Sequence, residues 1–151
     1  MTIQANPSGL KIGGKDMTEK EYLLQARYLD ERIRSKLQQI ESLNDLATSC
    51  SAVINDMPRN PNRGGSKMAD AVIKIVSLQE EINMDINELV ELKREIMVVI
   101  KAVPNVEYQT LLEKRYLCFI SWEQIAVDMN YSMQHIHRMH SAALKEIVVP
   151  Q

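Results

Sequence analysis

The chain has 151 residues, of which 45% are hydrophobic and 25% are charged; this composition is typical of a soluble protein with one folded domain, or one small domain and an extension. Its formal net charge of −2 excludes a global positive field that would draw the whole protein onto nucleic acid. The two cysteines, Cys50 and Cys118, belong to no CxxC pair, which argues against a zinc site or a disulfide framework.

Residues 1–16, MTIQANPSGLKIGGKD, lack the apolar stretch of a signal peptide. No apolar run approaches the roughly 18 residues of a membrane span. We therefore expect a cytoplasmic protein without a membrane partner, in which residues 1–17 form a flexible tail.

The positions of glycine and proline predict three helical blocks. All ten of these residues lie within 7–14 and 58–65 or at 104 and 150, which leaves long segments without a helix breaker. Aromatic residues make up only 5% of the chain and β-branched alternation is rare, which also disfavours strands. The expected fold class is all-α, with a long antiparallel helical hairpin followed by a C-terminal helix-turn-helix domain.

The first helix is predicted to begin after Thr18, which has the capping-box spacing to Glu21. Its apolar residues recur at intervals of mainly three and four, as in a coiled-coil seam. They are Ala26, Leu29, Ile33, Leu37, Ile40, Leu43 and Ala47.

The segment 57–66 has the composition of a turn, and the helix after it carries a second seam. That seam contains Met68, Val72, Ile75, Gln79, Ile82, Ile86, Leu89, Lys93, Ile96 and Ile100. Its polar members, Gln79 and Lys93, weaken a seam but can specify its register. We interpret 18–103 as a hairpin-like assembly region and expect a homodimer.

The sequence pattern of residues 104–151 predicts a helix-turn-helix. Asn105 can cap a helix over 106–117, Ser121 one over 122–129, and Ser132 one that runs to about Val148. Ala126 supplies the small residue where the two helices cross, and Asn130 tolerates the left-handed backbone of the turn. The apolar residues spaced to lock the pair are Ile125, Met129, Tyr131, Ile136 and Met139. An ordinary helical hairpin is the alternative.

The last helix would read double-stranded DNA with the side chains that face away from this lock. Gln134 can pair bidentately with adenine and Arg138 with guanine, while the helix N-terminus suits phosphate. The candidate DNA-binding residues are Ser132, Met133, Gln134, His137, Arg138, Ser141 and Lys145.

Five other side chains of this block have more than one interpretation. Lys114 and Arg115 could reach the DNA backbone, although Arg115 has Glu113 and Glu123 as alternative partners. Trp122 suits packing better than base stacking. His137 and His140 lie one helical turn apart but lack a nearby acidic or thiol ligand, so groove contact is expected for His137, partial burial for His140, and no metal for either.

The segment 108–147, YQTLLEKRYLCFISWEQIAVDMNYSMQHIHRMHSAALKEI, resembles the fourth conserved region of bacterial sigma-70 factors. It is more similar to the C-terminus of small phage transcriptional regulators of the ArpU/RinA type. The resemblance rests on Leu111–Tyr116, Ser121–Ala126, Tyr131-Ser132 and Ala142–Leu144, with Asn130 in place of the usual glycine. It implies promoter or operator recognition, with RNA polymerase as a further partner.

The net charge of residues 104–151 indicates how this predicted DNA-binding module would have to bind DNA. Residues 104–151 contain four basic and five acidic side chains, so few phosphates can be neutralised. A dimer on two half-sites would double the contacts. Together with the layout of the chain, the resemblance implies a sequence-specific phage or prophage transcription regulator.

Two alternatives remain open. One is an inhibitor that binds a host or phage protein through acidic side chains of the hairpin, and the other is a small terminase-like packaging subunit. No cofactor or enzymatic activity is expected, because nucleophile–base pairs and phosphate loops are absent from the sequence.

Overall fold

The computed structural model describes residues 16–53 and 62–151. In these two ranges the chain forms five α-helices and one π-helical turn, and it forms no strand. The helices are α1 (Glu19–Val53), α2 (Asn62–Lys101), α3 (Val106–Leu112), α4 (Trp122–Met129) and α5 (Met133–Lys145), with the π-helical turn at Glu113–Leu117. The predicted all-α fold is confirmed.

Two of the expected segments fall largely outside the described residues. Of the tail predicted at 1–17, residues 1–15 are outside the described ranges. Of the turn predicted at 57–66, residues 57–61 are outside them. The remainder of the turn prediction is corrected, because α2 already begins at Asn62. Glycine lowers helix stability by about 1 kcal/mol but does not forbid a helix, so Gly64 and Gly65 can belong to α2.

The N-terminus of α1 is held by the predicted capping box. The backbone N–H of Thr18 donates to Glu21 Oε2 at 2.8 Å, and Thr18 Oγ1 accepts from the Glu21 backbone N–H at 3.2 Å. These reciprocal bonds satisfy two backbone donors that the first turn leaves without helical partners.

α1 and α2 pack together as an antiparallel hairpin. Salt bridges show the direction of the pairing: Arg32 reaches Glu88 at 3.5 Å, whereas Lys36, one turn further along α1, reaches Glu81 at 3.4 Å. The buried positions of α1 are Tyr22, Leu23, Ala26, Leu29 and Ile33. Towards the other end of the helix the expected stripe opens to solvent, since Leu37 is exposed.

The seam of α2 differs from the predicted one at alternate positions from Val72 to Ile86, whereas Ile100 is buried as predicted. Ile82, Leu89 and Ile96 are buried as expected, but Gln79 and Ile86 are exposed. Their places in the seam are taken by Leu78 and Asp85, which lie one residue earlier and are buried. Both sets keep the heptad spacing to the shared positions, so the pattern alone does not show on which side of them α1 lies.

Asp85 is the polar residue that the hairpin seam contains. Its Oδ1 accepts from Arg32 at 3.0 Å and its Oδ2 from Lys36 at 2.6 Å. Burial alone would raise the pKa of Asp85, but the hydrogen bonds from Lys36 and Arg32 hold this pKa below its ordinary value. A buried carboxylate with two cationic partners favours one register of α1 on α2 over the others.

The C-terminal block packs onto the end of the hairpin that holds the start of α1. One hydrophobic core joins Leu23 of α1 and Ile96 of α2 to Tyr116 of the π-helical turn and to Ala143 of α5. Ile147 belongs to the same core although α5 already ends at Lys145. The prediction that this helix reaches about Val148 is therefore wrong by about one turn.

Within the two described ranges, no helix combines the length and the apolar character that a membrane crossing requires.

Candidate nucleic-acid interface

α3 and the π-helical turn form the support on which the last two helices lie. Asn105 caps α3, because its Oδ1 accepts from the backbone N–H groups of Glu107 at 2.9 Å and Tyr108 at 3.3 Å. Beyond the π-helical turn, Phe119 adopts a positive φ of 57°. This rare conformation for a bulky side chain turns the chain towards Ser121, and the sequence did not predict it.

The junction between α4 and α5 has the predicted caps. Ser121 Oγ accepts from the Gln124 N–H at 3.3 Å, and Ser132 Oγ accepts from the His135 N–H at 3.1 Å. Asn130 is left-handed, with φ 59° and ψ 43°. The N–H of Tyr131 donates to the Ala126 carbonyl at 3.0 Å and that of Asn130 to Val127 at 3.2 Å, the pair of bonds that defines a Schellman motif.

A small second core locks α4 and α5 together. Ile125, Ile136 and Met139 are buried in it, as expected, beside Ala126 at the crossing point. Met129 and Tyr131 pack against it while remaining partly exposed, and Leu111 of α3 completes it. α4, α5 and the three-residue turn between them therefore form a helix-turn-helix unit with its own apolar centre.

Two polar contacts tie this unit to the support beneath it. The Tyr131 hydroxyl donates to Glu107 Oε1 at 2.7 Å, and this bond raises the pKa of the Tyr131 phenol. Lys114 Nζ lies 3.4 Å from Asp128 Oδ2. Lys114, one of the two candidates for a DNA-backbone contact, is thus already engaged within the protein.

The exposed face of α5 brings five of the seven candidate DNA-binding residues together. A shallow groove runs along this face, and Ala142 and Glu146 complete its lining. The five candidates that line it are Gln134, His137, Arg138, Ser141 and Lys145. Among the residues that the structure describes, neither Arg138 nor Lys145 has an acidic partner within salt-bridge distance.

The other two candidates, Ser132 and Met133, lie at the start of α5. They line a separate depression beside the turn, together with Asn130 and Tyr131. The Ser132 hydroxyl is engaged as the helix cap. Met133 is half-buried against the second core, so only part of its side chain is available to a ligand.

Trp122 packs within the protein, as the sequence favoured. The Arg115 guanidinium lies 4.5 Å from the centre of its ring, and Arg115 Nη1 also donates to the Ile120 carbonyl at 3.1 Å. Neither of the interpretations offered for Arg115, a DNA-backbone contact or a carboxylate partner, describes these contacts. Stacking on an indole desolvates the guanidinium, and burial lowers the pKa of Arg115.

His137 and His140 differ in environment although they are one turn apart. The His137 ring is exposed beside Trp122, with ring centres 5.1 Å apart. His140 is buried, and its Nε2 lies 2.6 Å from the Tyr116 hydroxyl. Burial lowers the pKa of His140 to about 4 and raises that of Tyr116 to about 12, so at neutral pH this is a hydrogen bond between two uncharged groups.

Two basic residues near the start of α1, Lys20 and Arg27, affect the electrostatics of the C-terminal block. Lys20 helps to lower the pKa of His140, and Arg27 helps to lower that of Arg115. Both effects require these two cations to lie near the C-terminal block. The sequence of 104–151 alone does not show these two cations, because they are remote from it in the chain. The same part of α1 also carries Glu19 and Glu21, and Arg27 is paired with Glu31 at 3.3 Å.

The described residues contain no group of three or more His, Cys, Asp or Glu side chains arranged to hold a metal ion. In the comparisons with known proteins, neither a curated protein nor a solved structure matches the chain. A family model, described as "Protein of unknown function (DUF1492)", matches residues 48–148. This match covers the end of α1, all of α2 and nearly all of the C-terminal block, and the chain belongs to the DUF1492 family.

Proposed function

We propose that the chain is a sequence-specific DNA-binding transcription regulator in which α5 is the recognition helix. The observation that supports this proposal most strongly is the exposed face of α5. Along it, amide, imidazole, guanidinium and ammonium groups share one groove on a helix whose opposite face is buried against α3 and α4. In a helix-turn-helix, this is the face that enters the major groove.

The spacing of the groove residues suits a division of roles along α5. Gln134 and Arg138 are one helical turn apart near the N-terminal half, where the helix would lie deepest in the groove and reach base edges. Lys145 lies in the last turn, where it would contact a phosphate. His137 would contact a base or a sugar, because its ring is exposed and its neighbour Trp122 restricts its motion.

The resemblance to the fourth region of sigma-70 factors and to ArpU/RinA-type phage regulators supports the same proposal. It favours a phage or prophage promoter or operator as the DNA target, and RNA polymerase as a second partner. Because α5 carries only a modest positive charge, we expect the isolated C-terminal block to bind DNA weakly. Lys20 of α1 would then add a backbone contact that the C-terminal block lacks.

The test begins by selecting bound fragments from genomic DNA with the full chain. Affinity for the selected site is then measured for Gln134→Ala and Arg138→Ala. Each variant should weaken specific binding by about 1–3 kcal/mol, the value of one bidentate base contact. Helical content and melting temperature should not change, since both side chains are exposed.

Matched control variants separate the loss of base recognition from general effects of charge. Arg34→Ala and Gln39→Ala remove exposed side chains of the same two types from α1 and should leave binding unchanged. Lys145→Ala should weaken binding to all sequences alike and reduce the salt dependence by about one ion. Unchanged specific binding in both Gln134→Ala and Arg138→Ala would rule out α5 as the reading helix.

Of the alternatives, the protein inhibitor would use the acidic residues Glu80, Glu81, Glu88 and Glu91. Three of them are already engaged, because Glu81 pairs with Lys36 and Glu88 with Arg32 across the hairpin, and Glu91 pairs with Arg94 along α2. Charge reversals at Glu80 and Glu91 that abolish activity while the α5 variants retain it would favour the inhibitor. A small terminase-like subunit would instead appear as a ring-sized assembly in light scattering.

A further inference from the structure

α2 carries a second heptad stripe that lies beside the seam with α1. It consists of six side chains at alternating intervals of four and three, namely Val72, Val76, Gln79, Asn83, Ile86 and Val90. At 3.6 residues per turn, this stripe is centred about 100° around the helix from the buried seam. We call it the outer stripe.

The outer stripe is open to solvent along its whole length. Val72 is 50% exposed, Val76 48%, Ile86 43% and Val90 50%, and Gln79 and Asn83 are exposed as well. None of the described parts of the chain covers it. Alternation of four and three keeps a stripe facing a neighbouring helix over several turns, so the pattern specifies a helical partner rather than a small ligand.

The chemistry of the outer stripe reads the same in both directions. From either end, the stripe consists of two apolar residues, two amides and two apolar residues. Its intervals of four, three, four, three and four residues are also symmetric. An antiparallel second copy would therefore place Val72 opposite Val90 of that copy. Val76 would meet Ile86, and Gln79 would meet Asn83, so that each amide could bond an amide.

Lys93 favours the antiparallel arrangement over the parallel one. Its position continues the heptad beyond Val90, and its Nζ lies 4.6 Å from the centre of the Phe119 ring, so two parallel copies would bring two of these ammonium groups to the same end of the pair. In the antiparallel arrangement, centred near Glu81, Lys93 instead faces the small residue Ala69 of the second copy. Like charges held against each other in a coiled-coil seam are destabilising.

We propose that the outer stripe of α2 is the homodimer interface, and that it pairs with the same stripe of an antiparallel second copy around a twofold axis near Glu81. Such an interface is isologous and closes at two subunits. It leaves the groove of α5 uninvolved and does not depend on the proposed DNA binding.

The first experiment compares two glutamate substitutions by sedimentation equilibrium over a range of protein concentrations. Val76→Glu places a charge in the outer stripe and should convert the dimer to a monomer. Ile73→Glu is the matched control, because Ile73 lies on the same helix with 67% exposure but off the stripe, and it should leave the dimer intact. Circular dichroism should show the same helical content for both variants.

The second experiment determines the orientation by disulfide cross-linking, with Cys50 and Cys118 replaced by serine. A mixture of Val76→Cys and Ile86→Cys chains should cross-link quickly to each other. Val76→Cys chains alone should cross-link slowly. Rapid self-cross-linking of Val76→Cys would show a parallel pair and overturn the proposal.

Three further outcomes would also overturn it. The first is a wild-type chain that is monomeric at every concentration, and the second is a dimer that Val76→Glu leaves intact. The third is a monomer that associates only after residues 1–15 are deleted, since that result would identify an occupant within the same chain.

Discussion

His140 is a buried imidazole at the junction of α5, Trp122 and Tyr116, and its protonation would place a charge in that site. Its pKa of about 4 in the folded chain lies below the value of about 6.5 expected in an unfolded chain. The folded state therefore binds fewer protons between these pH values. Stability is complete above about pH 6.5 and falls as the pH decreases towards 4.

We expect this residue to contribute up to about 3 kcal/mol to the acid-side loss of stability. Urea unfolding measured from pH 7 to pH 4 would show it as a falling free energy of unfolding. In His140→Gln, which keeps an acceptor for Tyr116 but does not titrate, the fall over this window should be much smaller. An identical pH profile in both proteins would show that His140 is not the group responsible.

Substitutions of Asn130 would measure the energetic cost of the left-handed backbone conformation in the turn between α4 and α5. Asn130→Gly should leave the melting temperature unchanged or raise it, because glycine adopts a positive φ freely. Asn130→Ala should lower the free energy of unfolding by about 1–2 kcal/mol, since a side chain with a Cβ is disfavoured there. Equal stability of the two variants would contradict the left-handed turn between α4 and α5.

At the scale of single residues, local signals were predictable and contacts through space were not. Thr18, Asn105, Ser121, Asn130 and Ser132 could be assigned because a cap needs only a few consecutive residues. Five of the candidate DNA-binding residues do share a groove on α5. The contacts between Tyr131 and Glu107, or between Arg115 and Trp122, depend on how separate elements pack.

At the scale of elements, the hairpin was predictable but the face of α2 that meets α1 was not. α2 carries two overlapping heptad patterns that share Ile75, Ile82, Leu89 and Ile96. The sequence prediction joined these residues to Gln79 and Ile86, whereas α1 packs on the side of Leu78 and Asp85. Two adjacent apolar stripes on one helix cannot be assigned to their partners from spacing alone.

The register of the hairpin can be tested at Asp85. Asp85→Ala should destabilise the chain by about 1.5–3 kcal/mol, because Arg32 and Lys36 lose a charged hydrogen-bond acceptor in a partly buried site. Gln79→Ala, measured in dilute solution, should change stability by less than about 0.5 kcal/mol because Gln79 is exposed. The reverse ranking in urea unfolding would place Gln79 in the seam.

At the scale of the whole molecule, the hairpin and the C-terminal block share one core. Ile147→Ala should lower the free energy of unfolding by about 2–4 kcal/mol, as expected for a buried isoleucine. Val148→Ala is the control, because Val148 is largely exposed. Calorimetry of Ile147→Ala should still show one transition; two resolved transitions would mean that the hairpin unfolds independently.

This shared core also sets an order of events during synthesis. Leu23 leaves the ribosome early, but Ile147, a member of the same core, follows it by about 120 residues. At about 5–20 residues per second, the apolar face at the start of α1 stays incompletely covered for roughly 6–24 s. During that interval the nascent chain exposes Leu23 and Ala26, so this face is the one on which a chaperone would act.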